Sequence, residues 1–230
     1  MKPIGLIGGL TYVSTIEYYR YLNKLVNEKR GGSEAAEIVM YSVNFGIIKK
    51  LTDAEDWVNI SVIICKAAQI VEAGGAACLL IGANTMHKIA DEVQAAIKIP
   101  VIHVAEAVGK DILKNGLKKV GLLGTRYTMQ LRFYADHLAS FGIETIIPAQ
   151  EDVDYLNYTI YNEFSRNLFL AGTKANYLTI ISKLKKRGAE GIILGCTEIP
   201  FLVKQSDCDI LLFDTVKIHS SAGVDHVLSL

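Results

Sequence analysis

The sequence predicts an α/β protein built from two similar units, each with a mostly parallel sheet flanked by helices. Two observations predict this class. Short apolar runs alternate with longer amphipathic segments along the 230 residues, and this alternation is typical of parallel strands joined by crossover helices. Motifs of the first half also recur in the second half at nearly constant spacing, which indicates an internal repeat.

The first half contains four predicted strands and the helices that join them. The strands are the apolar runs at residues 4–8, 38–43, 78–81 and 100–104. Apolar residues at helical spacing predict a helix capped by Ser14 or Thr15, a second at about 53–73 whose apolar face includes Ile70, and a third from Thr85 toward Ile97.

The second half repeats the same alternation. Its predicted strands are residues 120–123, 143–147, 191–194 and 210–213. The predicted helices are one that ends near residue 115, then 129–141, 152–169 and 174–187, and a last helix after the final strand. No low-complexity linker separates the two halves.

The internal repeat equates an alanine in the first half with a cysteine in the second. Residues 5–8 and 121–124 match at a shift of 116 positions, and residues 75–84 match 188–197 at a shift of 113. This alignment places Ala83 where Cys196 stands in the other copy, each just after a strand. Ligands of open α/β sheets bind at the carboxyl ends of strands, so both positions are candidate site positions.

Composition limits the kinds of partner. The 24 basic and 24 acidic residues cancel, so no strong field favours nucleic acid or an anionic membrane, and a small, locally recognised ligand fits better. No apolar run approaches the roughly 18 residues of a membrane span. The amino terminus resembles a strand rather than a signal peptide, and the four cysteines have no CxxC spacing. We therefore expect a cytoplasmic protein without disulfides or a zinc site.

The stretch 194–198 combines a thiol, a hydroxyl and a carboxylate at the end of an apolar strand. A helix that begins there would place the sulfur of Cys196 at its amino terminus, where N–H groups favour a thiolate. The alternative is a buried structural cysteine. Glu198 could cap this helix or hold a substrate ammonium group.

Two related units suit a reaction that addresses one carbon from opposite faces. The simplest such reaction removes a proton from one face and delivers one to the other, which is racemisation or epimerisation. Two thiols with adjusted pKa values would serve this purpose. The chain supplies only one, since Ala83 occupies the equivalent position.

Five motifs together resemble the aspartate/glutamate racemase family, and most closely the branch that acts on both amino acids. They are Gly8-Gly9, Asn84-Thr85-Met86-His87, Gly124-Thr125-Arg126-Tyr127-Thr128, Gly195-Cys196-Thr197-Glu198-Ile199-Pro200, and Phe213-Asp214-Thr215 with Ile218-His219. The resemblance implies two pseudo-symmetric Rossmann-like lobes, with residues 1–101 and 209–230 in lobe 1, residues 102–208 in lobe 2 and a site in the cleft between them. It also implies catalysis without pyridoxal phosphate, any other cofactor or a metal, and a homodimer.

The resemblance also assigns roles to individual residues. Cys196 matches one catalytic acid/base, and an amino-dicarboxylate substrate would be held by five matching polar residues: Asn84, Thr85, Thr125, Thr128 and Thr197. Lys49 corresponds to a basic residue of some aspartate-specific members. Ala83 departs from the family pattern, so Thr85 or a bound water would have to replace the second thiol. His87 and His219 lie within the motifs, with a structural and a catalytic role both open.

Three functions follow from this reading. The first is a racemase of aspartate or glutamate. Because one thiol suffices to protonate a single face, a decarboxylase or a cis-trans isomerase on the same scaffold is the second. The third is an inactive protein that binds dicarboxylates. A dinucleotide site at Gly5–Gly9 is disfavoured, because the glycine spacing differs from GxGxxG and no acidic residue ends the second strand.

Overall fold

A computed structural model describes residues 1–230, the whole chain. Its contacts divide the chain into two compact units: unit 1 is Met1–His103 with His219–Leu230, and unit 2 is Val104–Ile218. The sequence-based boundary put the return to the first lobe at residue 209. In the structure residues 209–218 belong to unit 2, because the strand at Leu211–Asp214 pairs with the strand at Gly191–Leu194.

Unit 1 contains a three-stranded parallel sheet in the order β2-β1-β3. Its elements in chain order are β1 (Ile4–Gly8), α1 (Tyr12–Arg30), β2 (Ile38–Ser42), α2 (Phe45–Asp53), α3 (Trp57–Ala73), β3 (Cys78–Ile81), a short 3-10 helix (Thr85–Ile89) and α4 (Ala90–Ala96). Buried aliphatic side chains of α3, β1 and β3 form one hydrophobic cluster.

Unit 2 contains a four-stranded parallel sheet in the order β5-β4-β6-β7. Its elements are α5 (Val104–Lys114), β4 (Lys119–Leu123), α6 (Arg126–Gln130), α7 (Arg132–Ala139), β5 (Glu144–Ile146), α8 (Gln150–Asn162), α9 (Ala171–Lys186), β6 (Gly191–Leu194), α10 (Ile199–Leu202) and β7 (Leu211–Asp214), with short 3-10 helices at Phe164–Arg166 and Gln205–Asp207. The last helix, α11 (Thr215–Leu228), begins here and continues in unit 1.

The strand registers agree with the internal repeat. β1 pairs with β3 so that Ile7 faces Ile81, and β4 pairs with β6 so that Leu123 faces Leu194. The next residue makes the same hydrogen bond in both units. Gly82 N–H donates to the Ile7 carbonyl at 2.9 Å, and Gly195 N–H donates to the Leu123 carbonyl at 2.6 Å. The residues that follow, Ala83 and Cys196, are therefore equivalent positions.

Four sequence-based expectations about elements were wrong. Thr11 caps α1 instead of Ser14 or Thr15, because its side chain accepts the Ser14 N–H. The helix expected over 53–73 begins only at Trp57, as α3, because Glu55 adopts a positive φ of 53° between α2 and α3. Ile70, expected on its buried face, is exposed. Residues 100–104 form no strand: only Val101 bridges to Leu79, and Val104 already begins α5.

The expected helix over residues 129–141 is also interrupted. Leu131 has an extended conformation, with φ −75° and ψ 135°, so the segment forms α6 and α7. The strand expected at 143–147 is β5, and the final strand and helix are present as β7 and α11. None of the helices has both the length and the apolar character needed to cross a membrane.

Candidate active site

The carboxyl ends of β4 and β6 bring two of the predicted motifs together in unit 2. A Cβ atom on Gly124, after β4, would lie 3.1 Å from the carbonyl oxygen of Gly195, after β6. Gly195 itself approaches β4 closely, because a Cβ there would lie 2.7 Å from the Leu123 carbonyl oxygen. A larger residue at Gly195 would push this loop away from the sheet, so glycine sets the position of the cysteine that follows it.

Cys196 is buried and bonded to a buried carboxylate. Its Sγ donates to Glu198 Oε2 at 3.1 Å, and the Thr197 hydroxyl donates to the same oxygen at 2.7 Å. Glu198 is 2 % exposed, and its side chain makes no capping bond to α10. The carboxylate oxygen thus accepts hydrogen bonds from the thiol and the hydroxyl and does not cap the helix.

The thiol is not activated in the way the sequence suggested. Burial, followed by the negative charge of Glu198, raises the pKa of Cys196 well above its usual value, while the N–H groups of Glu198 and Ile199 oppose this shift. α10 has only four residues, so its dipole is small, and burial outweighs it. The expectation of a thiolate at a helix amino terminus was therefore wrong, and the resting thiol is protonated.

Thr125 and Thr128 form a pair of buried hydroxyls beside this loop. Thr125 caps α6 by accepting the Thr128 N–H at 3.2 Å, and the two hydroxyl oxygens are 3.1 Å apart. This capping fixes both side chains, which were expected to contact substrate, at the end of β4.

Two hydrogen bonds fix the end of β7. Asp214 accepts the Val216 N–H at 3.0 Å, and the Thr215 hydroxyl donates to the Leu194 carbonyl at 2.9 Å.

The thiol lies beside the hydrophobic core of unit 2 and near the phenol of Tyr177. Cys196 belongs to the hydrophobic cluster of that unit. Burial raises the pKa of the nearby Tyr177 phenol well above its usual value, and a thiolate at Cys196 would raise this pKa further. Its hydroxyl is 2.9 Å from Thr159 Oγ1, which itself donates to the Leu156 carbonyl at 2.9 Å. Tyr177 therefore donates to Thr159 and remains neutral.

In unit 1 the equivalent position carries no acid or base. Ala83 is half-buried and its methyl group packs against the hydrophobic cluster of that unit. Asn84 and Thr85 follow at the start of the 3-10 helix, and both are buried. Lys49 lies on α2 of unit 1, where its Nζ is 2.6 Å from Asp53 Oδ2. The ammonium group expected to bind substrate thus already has a carboxylate partner.

The sequence reasoning missed two features of these sites. The sequence interpretation named Glu198 without linking it to the thiol, although its position two residues after Cys196 could have suggested the contact. It also left His219 without a partner, whereas His219 Nδ1 lies 2.8 Å from the Tyr18 hydroxyl. No sequence spacing connects residues that lie 201 positions apart. No group of three or more His, Cys, Asp or Glu side chains is arranged to hold a metal ion.

Comparison with known proteins assigns the class. The Asp/Glu/Hydantoin racemase family model matches residues 7–222. A Yersinia pestis protein provisionally described as an Asp/Glu racemase is 41 % identical and superposes with a TM-score of 0.92, covering 99 % of this chain and 100 % of that one. These similarities define an isomerase of the racemase type.

Two further relatives agree. An aspartate racemase homologue from Pyrococcus horikoshii OT3 is 35 % identical, with a TM-score of 0.85 and full coverage of both chains. A broad-specificity amino-acid racemase of Bacillus subtilis (strain 168) is 27 % identical over 154 residues, which are 66 % of this chain and 65 % of that protein. The chain belongs to the Asp/Glu/Hydantoin racemase family.

Proposed function

We propose that this racemase interconverts the enantiomers of aspartate, glutamate or both, with Cys196 as the acid and base on one face of Cα. One observation carries the proposal: a thiol at the carboxyl end of a central strand donates to a buried carboxylate, with 3.1 Å between Cys196 Sγ and Glu198 Oε2. A cysteine with a purely structural role needs no such partner, since it is commonly buried among apolar groups.

The thiol and carboxylate together can move a proton in both directions. Because burial keeps the thiol protonated, the S–H group can deliver its proton to a carbanion at Cα. In the other direction, Glu198 takes the thiol proton, and the resulting thiolate removes the proton from Cα. The Thr197 hydroxyl holds the same carboxylate oxygen at 2.7 Å, which keeps that oxygen directed at the thiol. After each turnover, proton exchange with water returns the thiol and the carboxylate to their resting states, and no oxidation or reduction is involved.

A small amino-dicarboxylate is the substrate class that the polar groups favour. Thr125, Thr128 and Thr197 provide hydroxyls around the thiol loop, and Asn84 and Thr85 provide an amide and a hydroxyl in unit 1. Hydroxyl, amide and backbone N–H groups at helix starts are suited to carboxylates. The descriptions of two of the relatives name Asp/Glu racemase and aspartate racemase, which supports an amino-dicarboxylate as the substrate. Lys49 remains a weaker candidate, because Asp53 engages it.

Ala83 favours a second candidate, a reaction that needs an acid or base on one face only, such as decarboxylation or cis-trans isomerisation. A methyl group cannot transfer a proton. For racemisation, the second proton must come from Thr85 or from water, and a hydroxyl is a much poorer base than a thiolate. We therefore expect slow racemisation, with Thr85 as the candidate for the second face.

The role of Cys196 is tested by racemisation of L-aspartate and L-glutamate, followed by chiral chromatography. Cys196→Ala should reduce the rate by about 100-fold or more, as expected for loss of an acid/base group. Cys208→Ala is the matched control, since Cys208 is also a free cysteine in unit 2, and it should retain the native rate. Equal rates for Cys196→Ala and the native chain would contradict the proposal.

We also propose that the protein is a homodimer joined through α1. Tyr12, Ile16 and Tyr19 lie on one face of this helix and are 62 %, 58 % and 56 % exposed. A contiguous stripe of large apolar side chains on a folded protein marks a contact surface. Sedimentation analysis should give a dimer that Ile16→Glu dissociates. Tyr158→Glu, at a similarly exposed apolar position on α8, should leave the dimer intact. A monomeric native chain would exclude the dimer.

A cytoplasmic location is proposed on the state of the thiols. All four cysteines are free, and Cys196 must remain a thiol for the proposed chemistry. Reducing compartments maintain free thiols. Fractionation of cells that express the protein should place it with cytoplasmic markers, and its recovery with a secreted or membrane fraction would contradict this location.

A further inference from the structure

A buried histidine in unit 1 is held between two hydrogen bonds. His219 Nε2 lies 2.6 Å from the Ile102 carbonyl oxygen, and Nδ1 lies 2.8 Å from the Tyr18 hydroxyl. A carbonyl can only accept, so Nε2 carries the hydrogen, and Nδ1 of the neutral ring accepts from the tyrosine. These bonds specify one tautomer of His219.

Tyr18 and His219 contact the segment 82–87 at its two ends. The Tyr18 ring packs against Gly82, where a Cβ would lie 3.7 Å from Tyr18 Cδ2. The ring of His219 meets that of His87 edge-on, with 5.3 Å between centroids. The His87 backbone N–H in turn donates to the Asn84 carbonyl at 3.1 Å. Tyr18 and His219 therefore support the turn that contains Ala83, Asn84 and Thr85.

We propose that His219 and Tyr18 are positioning residues that hold the segment 82–87 in the conformation in which Asn84 and Thr85 bind substrate. Neither side chain reaches the surface, so both act through the segment rather than on substrate. The substrate-binding part of the inference rests on the function proposed above, whereas the support of the segment does not.

The environment of His219 is suited to a fixed, neutral ring. The groups that face it are the Tyr18 hydroxyl from α1, the His87 ring from the 3-10 helix, the Ile102 carbonyl and the nearby His103. None of these is an acid that would stabilise a positive charge. Burial lowers the pKa of His219 to about 4, against the opposing effect of the Ile102 carbonyl. The ring thus stays uncharged, with its two bonds unchanged, at neutral pH.

Unit 2 provides a matched control. Tyr134 lies 116 positions after Tyr18, which is the spacing of the repeat, and it is also fully buried. Its hydroxyl, however, has no hydrogen-bond partner. Replacing each tyrosine by phenylalanine removes the same atom from equivalent places, but breaks a bond to histidine only at position 18.

Amide hydrogen exchange of the full chain tests the inference without requiring activity. Tyr18→Phe and His219→Phe should accelerate exchange in residues 82–89 by about tenfold relative to peptides of unit 2 such as 124–130, as expected when a local opening becomes easier. His219→Gln, which retains a donor for the Ile102 carbonyl, should show a smaller effect. Tyr134→Phe should leave residues 82–89 unchanged. Native exchange rates in Tyr18→Phe would overturn the inference.

Kinetics with L-aspartate and L-glutamate test the link to substrate. Tyr18→Phe should raise KM about tenfold more than Tyr134→Phe does, with a smaller change in kcat, because the binding groups are displaced while Cys196 is untouched. Equal KM values for the two variants, together with altered exchange, would contradict the role in substrate binding. If the native chain racemises neither amino acid, the proposed function fails, and the exchange result still decides whether His219 and Tyr18 support the segment.

Discussion

Replacement of His219 by glutamine should flatten the dependence of stability on pH. The pKa of His219 is lowered from 6.5 to about 4 in the folded protein, chiefly because burial disfavours the charged ring. The unfolded chain therefore binds a proton as pH falls below about 6.5 while the folded chain does not. The contribution of the neutral His219 ring to the free energy of unfolding is fully present above about pH 6.5 and is lost as pH falls toward 4. At about 1.4 kcal/mol per pKa unit, the full loss is about 3 kcal/mol.

Urea unfolding between pH 7.5 and 4.5, followed by circular dichroism, measures this difference. The native chain should lose about 2 kcal/mol more than His219→Gln by pH 5, because the amide of glutamine does not titrate. Tyr134→Phe removes another fully buried polar group, but none that titrates in this range, so its profile should run parallel to the native one. Parallel profiles for the native chain and His219→Gln would refute the argument that burial keeps this ring neutral.

Three other substitutions test separate parts of the account. Tyr18→Phe should lower the free energy of unfolding at pH 7.5 by about 1 kcal/mol, the usual value of a hydrogen bond. Tyr134→Phe should not lower it, because the Tyr134 hydroxyl has no partner. An equal loss for the two variants in urea unfolding would be inconsistent with the bond between Tyr18 and His219. Glu198→Gln should lower the pKa of Cys196, since the negative charge of Glu198 helps to raise it, and yet should slow racemisation about 100-fold because an amide cannot take the thiol proton. The pH dependence of alkylation at Cys196 and chiral chromatography measure the two effects, and an unchanged rate would remove Glu198 from the mechanism. Ala83→Cys should accelerate racemisation about tenfold or more by supplying a second thiol, with Ala83→Ser as the control of similar size; no gain would place the second proton donor elsewhere.

The class of fold and the main strands could be predicted because they depend on local patterns. Buried parallel strands appear as short apolar runs, and the repeat in the sequence equates Ala83 with Cys196. The registers of β1 with β3 and of β4 with β6 agree with that equivalence. Element boundaries were less predictable where a single residue decides them, as Glu55 does through its positive φ and Leu131 through its extended conformation.

The electrostatics of the thiol could not be predicted from its neighbours in sequence. The position of Cys196 after a strand suggested a helix amino terminus that would favour a thiolate. The helix that follows has four residues, however, and the cysteine is enclosed by the core of unit 2. Burial depends on residues from many elements, and it reversed the direction of the pKa shift. The contact between Glu198 and the thiol likewise depends on the backbone geometry of the turn, which the residue types of the motif do not specify.

The histidines show the same limit at longer range. His87 and His219 lie within recognised motifs, yet their contact with each other depends on how α11 packs in unit 1. Asp214, by contrast, caps the last helix by accepting the nearby Val216 and Lys217 N–H groups. Capping is predictable because donor and acceptor are two or three residues apart, whereas a contact between residues 18 and 219 requires the complete fold.

Deuterium incorporation at Cα is the most direct test of the claim that Cys196 exchanges a proton with the substrate. The native chain and Cys196→Ala are incubated in deuterium oxide with each enantiomer of aspartate and of glutamate, and the products are separated by configuration and examined by mass spectrometry and proton resonance. The native chain should place deuterium at Cα with inversion, and Cys196→Ala should not. Exchange that persists in Cys196→Ala, or no exchange by the native chain with any of the four substrates, would contradict this claim.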